Sequence, residues 1–117
     1  MKWFPVIVIG LLLTLPVKAD YVSDEAYKMI PSIKEWLYSD IVVQEINKQN
    51  QRHSALSMRE VNDLDKQWRT ELKSEEKSLI NQVMSSALSE YLKSVKSNAE
   101  GTYTEIFVMD NKGLNVG

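Results

Sequence analysis

No glycine occurs between Gly10 and Gly101 of this 117-residue chain. Glycine is the residue that most readily lets a backbone turn, so such a long interval without it favours continuous helix. Hydrophobic residues recur at helical spacing through the interval, and polar residues typical of helix caps divide it. We therefore predict about four to five helices between residue 20 and Gly101.

Serine residues mark where these helices are predicted to begin. Ser57 and Glu60 have the spacing of a capping box, in which a hydroxyl and a carboxylate each satisfy a free backbone N–H. Ser23, Ser39 and Ser74 are each followed at once by an acidic residue, which favours the positive end of a helix dipole. Each of these serines is a predicted helix start.

Other residues predict where the helices bend, divide or end. Pro31 lacks a backbone donor, so the first helix should kink or restart there. The adjacent hydroxyls of Ser85 and Ser86 favour caps and should divide the segment that begins at Ser74. Gly101 should close the last helix in a left-handed conformation.

After Gly101 the hydrophobic period changes from about four to two, as in a β-strand. Residues 102–109 alternate, residues 110–113 have turn composition with Gly113 suited to a left-handed position, and residues 114–117 follow. We predict a β-hairpin over 102–117 and hence an α+β fold. An isolated hairpin is marginal in water, so the remaining strands of the sheet are expected to be absent from this chain.

The N-terminus has the pattern of a secretory signal peptide. Lys2 supplies the positive charge, residues 3–17 are almost uninterruptedly apolar, and Ala19 is a small residue before a cleavage site. The alternative is a retained membrane anchor, although the apolar run is shorter than the roughly 20 residues that cross a bilayer. We predict cleavage after residue 19, with no membrane insertion of the mature chain.

The composition of the chain favours a location in a bacterial periplasm and argues against two classes of binding partner. The chain has no cysteine, so an exported form must be stabilised by packing rather than by disulfides. It carries 14 basic and 16 acidic residues, and loss of Lys2 and Lys18 with the signal peptide leaves a net charge near −4. This balance gives no electrostatic reason to expect nucleic acid or an anionic membrane surface as a partner.

The sequence contains no pattern typical of catalysis. There is no glycine-rich phosphate loop, no Ser/His/Asp set and no metal-ligand spacing. The lone His53 lies in a predicted polar loop without a second His or a Cys nearby, so we expect it to be exposed. The prediction is a non-catalytic protein without cofactor or metal.

Trp68 and Arg69 are the strongest candidates for a ligand site. An indole beside a guanidinium could stack on or clamp an organic anion. The competing interpretation places Trp68 in the core stripe of its helix and leaves Arg69 solvated or paired with an acidic residue at helical spacing. Tyr103 and Glu105 are weaker candidates, which would face a pocket only if their side of the predicted strand does.

Several segments resemble a known family. The sequence EIFVMDNKGLNVG, residues 105–117, resembles the first hairpin of periplasmic sensor modules with a PAS-like core, called PDC or Cache domains. The segments QNQRH, LDKQWR and SEYLKS resemble parts of small exported bacterial proteins with one such domain. The resemblance implies that residues 20–101 are the helical N-terminal part and residues 102–117 the first hairpin. It also implies a truncated copy, because the later strands and loops that carry most ligand contacts are missing.

The resemblance implies an exported, non-catalytic module that senses or binds a small molecule. Such a module acts when its ligand shifts the populations of two conformations, which a membrane-bound signalling partner reads. The alternative is a periplasmic structural or protein-interaction protein that pairs through its C-terminal strand with a partner's sheet. Saturable binding of a small molecule by a monomer would distinguish the two.

Overall fold

The computed structural model describes residues 20–117, with side chains from residue 24 onward. The predicted signal peptide, residues 1–19, lies outside the described residues and stays a prediction. The described residues contain five α-helices: α1 Asp20–Leu37, α2 Asp40–Arg52, α3 Met58–Glu71, α4 Ser78–Met84 and α5 Ala87–Asn98. In that part of the chain no helix combines the length and apolar character needed to cross a membrane.

The chain divides into two compact units, one up to Ile30 and one from Pro31 to Gly117. In the first unit, described residues 20–30 form the beginning of α1, where Lys28 and Glu25 make an exposed ion pair of 2.6 Å.

The prediction of an α+β fold is wrong. No strand is present among residues 20–117, so the predicted β-hairpin over 102–117, and with it the first hairpin of a PAS-like sheet, is absent. One isolated antiparallel bridge joins Met109 to Asn115. Within the described chain, residues 103–107 make no backbone–backbone hydrogen bond. Alternation of side chains predicts an extended backbone, but a strand also needs a neighbour to pair with, and these residues have none.

The chain reverses direction at the predicted turn without forming a hairpin of strands. The N–H of Gly113 donates to the carbonyl of Asp110 at 3.1 Å, and the N–H of Asp110 donates to the carbonyl of Leu114 at 2.9 Å. Gly113 has a φ of +79°, which glycine adopts without steric cost. Backbone hydrogen bonds continue beyond the turn, since the N–H of Val108 donates to the carbonyl of Gly117 and the N–H of Val116 to that of Val108, both at 2.8 Å.

The capping predictions are confirmed at two helix starts. Ser57 and Glu60 form the reciprocal capping box of α3, with the Ser57 N–H donating to the Glu60 carboxylate at 2.8 Å. Hydrogen bonds from the hydroxyl and then the backbone of Ser57 lower the pKa of Glu60. Ser86 is the N-cap of α5 and accepts from the N–H of Ser89 at 3.1 Å, so the predicted division at Ser85 and Ser86 is present. Local sequence therefore determines both starts.

Two predicted helix starts are wrong: Ser23 lies within α1 rather than at its start, and Ser74 does not begin α4. α1 continues through Pro31, so the predicted restart is absent, and the alternative of a kink stays a prediction. α4 begins at Ser78 rather than at Ser74, and its cap comes from another helix: the carboxylate of Glu71 accepts from the N–H of Ile80 at 2.9 Å. This hydrogen bond, more than any other contact, lowers the pKa of Glu71. A cap supplied by another helix has no signature in the local sequence.

The core of the second unit joins α2, α5 and the C-terminal segment. Its buried residues are Val42, Leu88, Leu92, Val108 and Val116. A Cβ on the final Gly117 would lie 2.9 Å from Cγ of Leu88, so packing is tight up to that residue. Partly buried hydrophobic side chains surround the cluster, namely Trp36, Ile41, Ile46, Tyr91 and Ile106. Residues 108–117 are thus held by side-chain packing against helices.

Candidate functional site

The end of α2, the helices α3 and α4, and residues 109–116 enclose a cleft of about 590 Å³. Leu64 and Trp68 of α3, Leu79 and Val83 of α4, and Leu114 give it an apolar lining. Trp68 is partly buried, which its place on the inner side of α3 explains. The volume lies within the range of about 300–1,000 Å³ typical of small-molecule pockets.

Charged side chains of both signs line the same cleft. Arg69 forms an ion pair with Asp65 one helical turn before it, and both side chains are substantially exposed. Arg52 donates a long hydrogen bond of 3.4 Å to the Gln49 side chain and makes no ion pair within the described residues. Glu45 of α2 is a further acidic residue of the lining. Of the two arginines, Arg69 has an ion pair and Arg52 has none with a described residue, so the Arg52 guanidinium is the more available to a ligand.

A buried carboxylate, Asp110, ties the end of α2 to the C-terminal turn. One carboxylate oxygen accepts from the N–H groups of Lys112 and Leu114 at 2.9 and 3.0 Å. The other accepts from the Gln49 amide at 3.1 Å and lies 2.7 Å from Nδ1 of His53. Burial raises the pKa of Asp110, but these hydrogen bonds lower it by more, so the pKa lies below its ordinary value. Asp110 therefore stays ionised at neutral pH.

Gln49 strengthens the same connection between α2 and the C-terminal turn. Its buried amide donates to the carbonyls of Asn115 and Leu114 at 3.0 and 3.4 Å, in addition to Asp110. Asn50, next along α2, accepts from the N–H of Asn111 at 2.8 Å. These contacts position residues 114–116, which form one wall of the cleft.

The prediction that His53 is exposed is wrong. His53 is the C-cap of α2, its side chain is only 19% exposed, and its Nδ1 is hydrogen-bonded to Asp110. An ionised carboxylate can only accept, so Nδ1 carries the proton. The two residues are 57 positions apart in sequence, and no local pattern relates them. His53 also lines the cleft.

The structure brings together two of the four predicted site residues. Trp68 and Arg69 both line the cleft, and neither Tyr103 nor Glu105 does. The Tyr103 hydroxyl instead lies 2.9 Å from the Ser32 hydroxyl, and its ring meets Trp36 edge-on at 6.4 Å between centroids. Glu105 is exposed. Their assignment to a pocket depended on a strand that does not form.

The lining also includes polar residues that the sequence pattern did not single out, among them Gln49, Arg52 and Asn115. The first two lie in the segment QNQRH, which was noted for its resemblance to a family and not for its chemistry. Oδ1 of Asn115 is buried without a hydrogen-bond partner among the described residues. Asn115, with this unused acceptor, and Arg52, without an ion pair to a described residue, both line the cleft.

The described residues include no group of three or more His, Cys, Asp or Glu side chains that could hold a metal ion. Comparisons of the chain with models of protein families, with characterised proteins and with solved structures find no match. The resemblance to PDC or Cache domains therefore stays a prediction, and the residues of the cleft must carry the functional argument.

Proposed function

We propose that this chain is a small-molecule binding module whose cleft takes an organic anion with an aromatic or other apolar body. The observation that carries the proposal is that Arg52, Trp68 and Arg69 line one cleft that also has an apolar lining. An apolar pocket with a few polar groups in fixed places is the usual form of a small-molecule site.

The roles of the three side chains follow from their chemistry. The planar guanidinium of Arg52 can donate two parallel hydrogen bonds to a carboxylate, and it has no competing ion pair within the described part of the chain. Arg69 is engaged with Asp65 and contributes less. The indole of Trp68 offers a flat surface against which an aromatic ring can stack.

The proposed role is binding without a chemical step. Ser86 is a hydroxyl of the lining, but it serves as the N-cap of α5, accepting from Ser89. His53 has its Nδ1 engaged by Asp110, which holds the ring in place. The Ser86 hydroxyl and Nδ1 of His53 are therefore accounted for by structural hydrogen bonds.

We further propose an exported, periplasmic sensing role, on the basis of the signal-peptide pattern of residues 1–19 and the absence of cysteine. Ligand binding would favour one of two conformations, and a membrane-bound partner would read that difference. The cleft is suited to this because its wall at residues 114–116 is held through hydrogen bonds to α2.

Isothermal titration with charged and neutral pairs of probes tests the binding function. Phenylacetate and indole-3-acetate should bind, and their amides, which have the same shape without the charge, should bind at least about tenfold more weakly. Arg52→Gln and Trp68→Ala should each weaken binding of the acids. Glu105→Gln serves as the matched control, because this exposed residue does not line the cleft. Equal binding of acids and amides, or no binding of either, would contradict the proposal.

A second candidate function is pairing with the exposed sheet edge of another protein. Residues 103–107 have no backbone–backbone hydrogen bonds within the described chain, and Phe107, one of them, is 56% exposed. Free backbone groups of this kind are what strand addition uses. Self-association measured by light scattering, lost in Phe107→Asp and accompanied by no binding of the probes, would favour this function.

A further inference from the structure

We propose that His53 makes the cleft pH-sensitive, so that an organic anion binds more tightly when this imidazole is protonated. The inference rests on the proposed function, since it concerns the same cleft and the same class of ligand. It adds a regulatory property that the binding function alone does not require.

The hydrogen bond to Asp110 determines which nitrogen of His53 is free to take up a proton. Nδ1 of His53 lies 2.7 Å from Oδ2 of Asp110, whose side chain is completely buried. An ionised carboxylate accepts only, so Nδ1 keeps its proton whether the ring is neutral or charged. Nε2 is then an acceptor in the neutral ring and a charged donor in the imidazolium. Protonation therefore changes a group that repels a carboxylate into one that attracts it.

The buried carboxylate also holds the ring in place while its charge changes. The other donors to Asp110 are the Gln49 amide and the backbone N–H groups of Lys112 and Leu114, all of them uncharged. When His53 is protonated, it is therefore the one positively charged hydrogen-bond partner of Asp110 among the described residues. Because the bond to Asp110 exists in both states, the new positive charge develops at a fixed position beside the cleft.

The other charged side chains around the cleft balance one another, so protonation of His53 decides the net charge of the cleft. Charged side chains come from α2, α3 and the C-terminal segment, namely Glu45, Arg52, Asp65, Arg69, Asp110 and Lys112. The linings from α4 and from the N-cap of α5 are uncharged, namely Leu79, Gln82, Val83 and Ser86.

Among the four charged residues that line the cleft beside His53, two are acidic and two are basic. The Lys112 ammonium is engaged with the carbonyl of Leu56 at 3.3 Å. With His53 neutral, the charges of the lining cancel, and with His53 protonated the lining is net positive. A bound anion therefore gains an attractive interaction at low pH.

The expected effect is moderate, because the cleft is open to water. A charge–charge interaction at such a partly exposed site should tighten binding about threefold to tenfold between about pH 8 and about pH 5. The carboxylate of phenylacetate is largely ionised over this interval, so its own titration contributes little to the change.

Titration calorimetry of the full chain with phenylacetate and with phenylacetamide, at about pH 5 and about pH 8, tests the inference. The affinity for phenylacetate should rise at the lower pH, and that for the neutral amide should not. His53→Asn should abolish the pH dependence, because an asparagine amide can replace Nδ1 as donor to Asp110 but does not titrate. Arg52→Gln is the matched variant: it should weaken phenylacetate binding by a similar factor at both pH values and keep the pH dependence.

The outcomes separate the two proposals. Phenylacetate binding that is equal at both pH values, or a pH dependence that survives in His53→Asn, would overturn the pH-sensitive cleft and leave the binding function standing. Absence of phenylacetate binding at both pH values would overturn the binding function, and the inference with it. Circular dichroism of each variant at both pH values checks that it is folded where its affinity is measured.

Discussion

The start of α3 and the C-terminal segment 102–117 were both predicted from sequence, with opposite results. At the start of α3, Ser57 and Glu60 form the capping box that their spacing indicates. In the C-terminal segment the predicted strands are absent, and the chain is held by helices far away in sequence. The first depends on contacts three residues apart, and the second on contacts about sixty residues apart. The capping box was therefore predictable from sequence, and the contacts of the C-terminal segment were not.

The largest expected effect comes from the core that fixes the C-terminal segment to the helices. Leu88 is completely buried and is in close contact with Gly117. Leu88→Ala should lower the free energy of unfolding by about 3–5 kcal/mol, because it removes buried methyl groups and leaves a cavity. Urea denaturation followed by circular dichroism measures this loss. Leu72→Ala is the control. Because Leu72 is 57% exposed, this substitution should lower the free energy of unfolding far less.

Removing the buried carboxylate should have the next largest effect. Asp110→Asn replaces an acceptor of four hydrogen bonds by an amide that cannot accept on both sides, leaving buried donors unsatisfied. We expect a loss of about 2–3 kcal/mol of unfolding free energy. The same denaturation experiment measures it. A loss below that of Ser57→Ala would show that the long-range contacts matter less than the local cap, which contradicts the comparison.

Asp110 should also make stability depend on acid. Its pKa is lower in the folded chain than its ordinary value of 3.8, so the unfolded chain takes up the proton first as the pH falls. The stabilisation is therefore present above pH 3.8 and is lost as the pH falls from there through the folded pKa. Thermal unfolding across this interval should show a smaller decrease in Asp110→Asn than in the original chain. An equal decrease in both would mean that other carboxylates are responsible.

The local cap should contribute less than the long-range contacts. Ser57→Ala removes the hydroxyl that accepts from the Glu60 N–H, and we expect a loss of about 1 kcal/mol of unfolding free energy. Ser57→Asp is the matched variant, because aspartate is also a good N-cap and should restore most of the stability. A loss in Ser57→Ala as large as that in Leu88→Ala would reverse the order proposed here.

The same distinction explains what the sequence could predict of the site. Trp68 and Arg69 are neighbours in sequence on one amphipathic helix, so their residue types alone indicated a candidate ligand site. Gln49, His53 and Asp110 meet only through the tertiary fold, and nothing in their neighbours' identities relates them. The start of α4 shows the same limit, because the cap from Glu71 is nine residues from Ile80. Helix starts with a local cap were predictable, and contacts made by folding were not.

Tyr103 gives the smallest expected effect and the sharpest test of the site assignment. As a strand residue it was predicted to face a ligand, but its hydroxyl meets Ser32 and its ring meets Trp36. Tyr103→Phe keeps the ring contact and removes one exposed hydrogen bond, so it should cost only about 0.5 kcal/mol of unfolding free energy. It should leave phenylacetate affinity unchanged, whereas Trp68→Ala should weaken it. If Tyr103→Phe weakened binding as much as Trp68→Ala, the ligand site would extend beyond the cleft into the C-terminal segment before Met109.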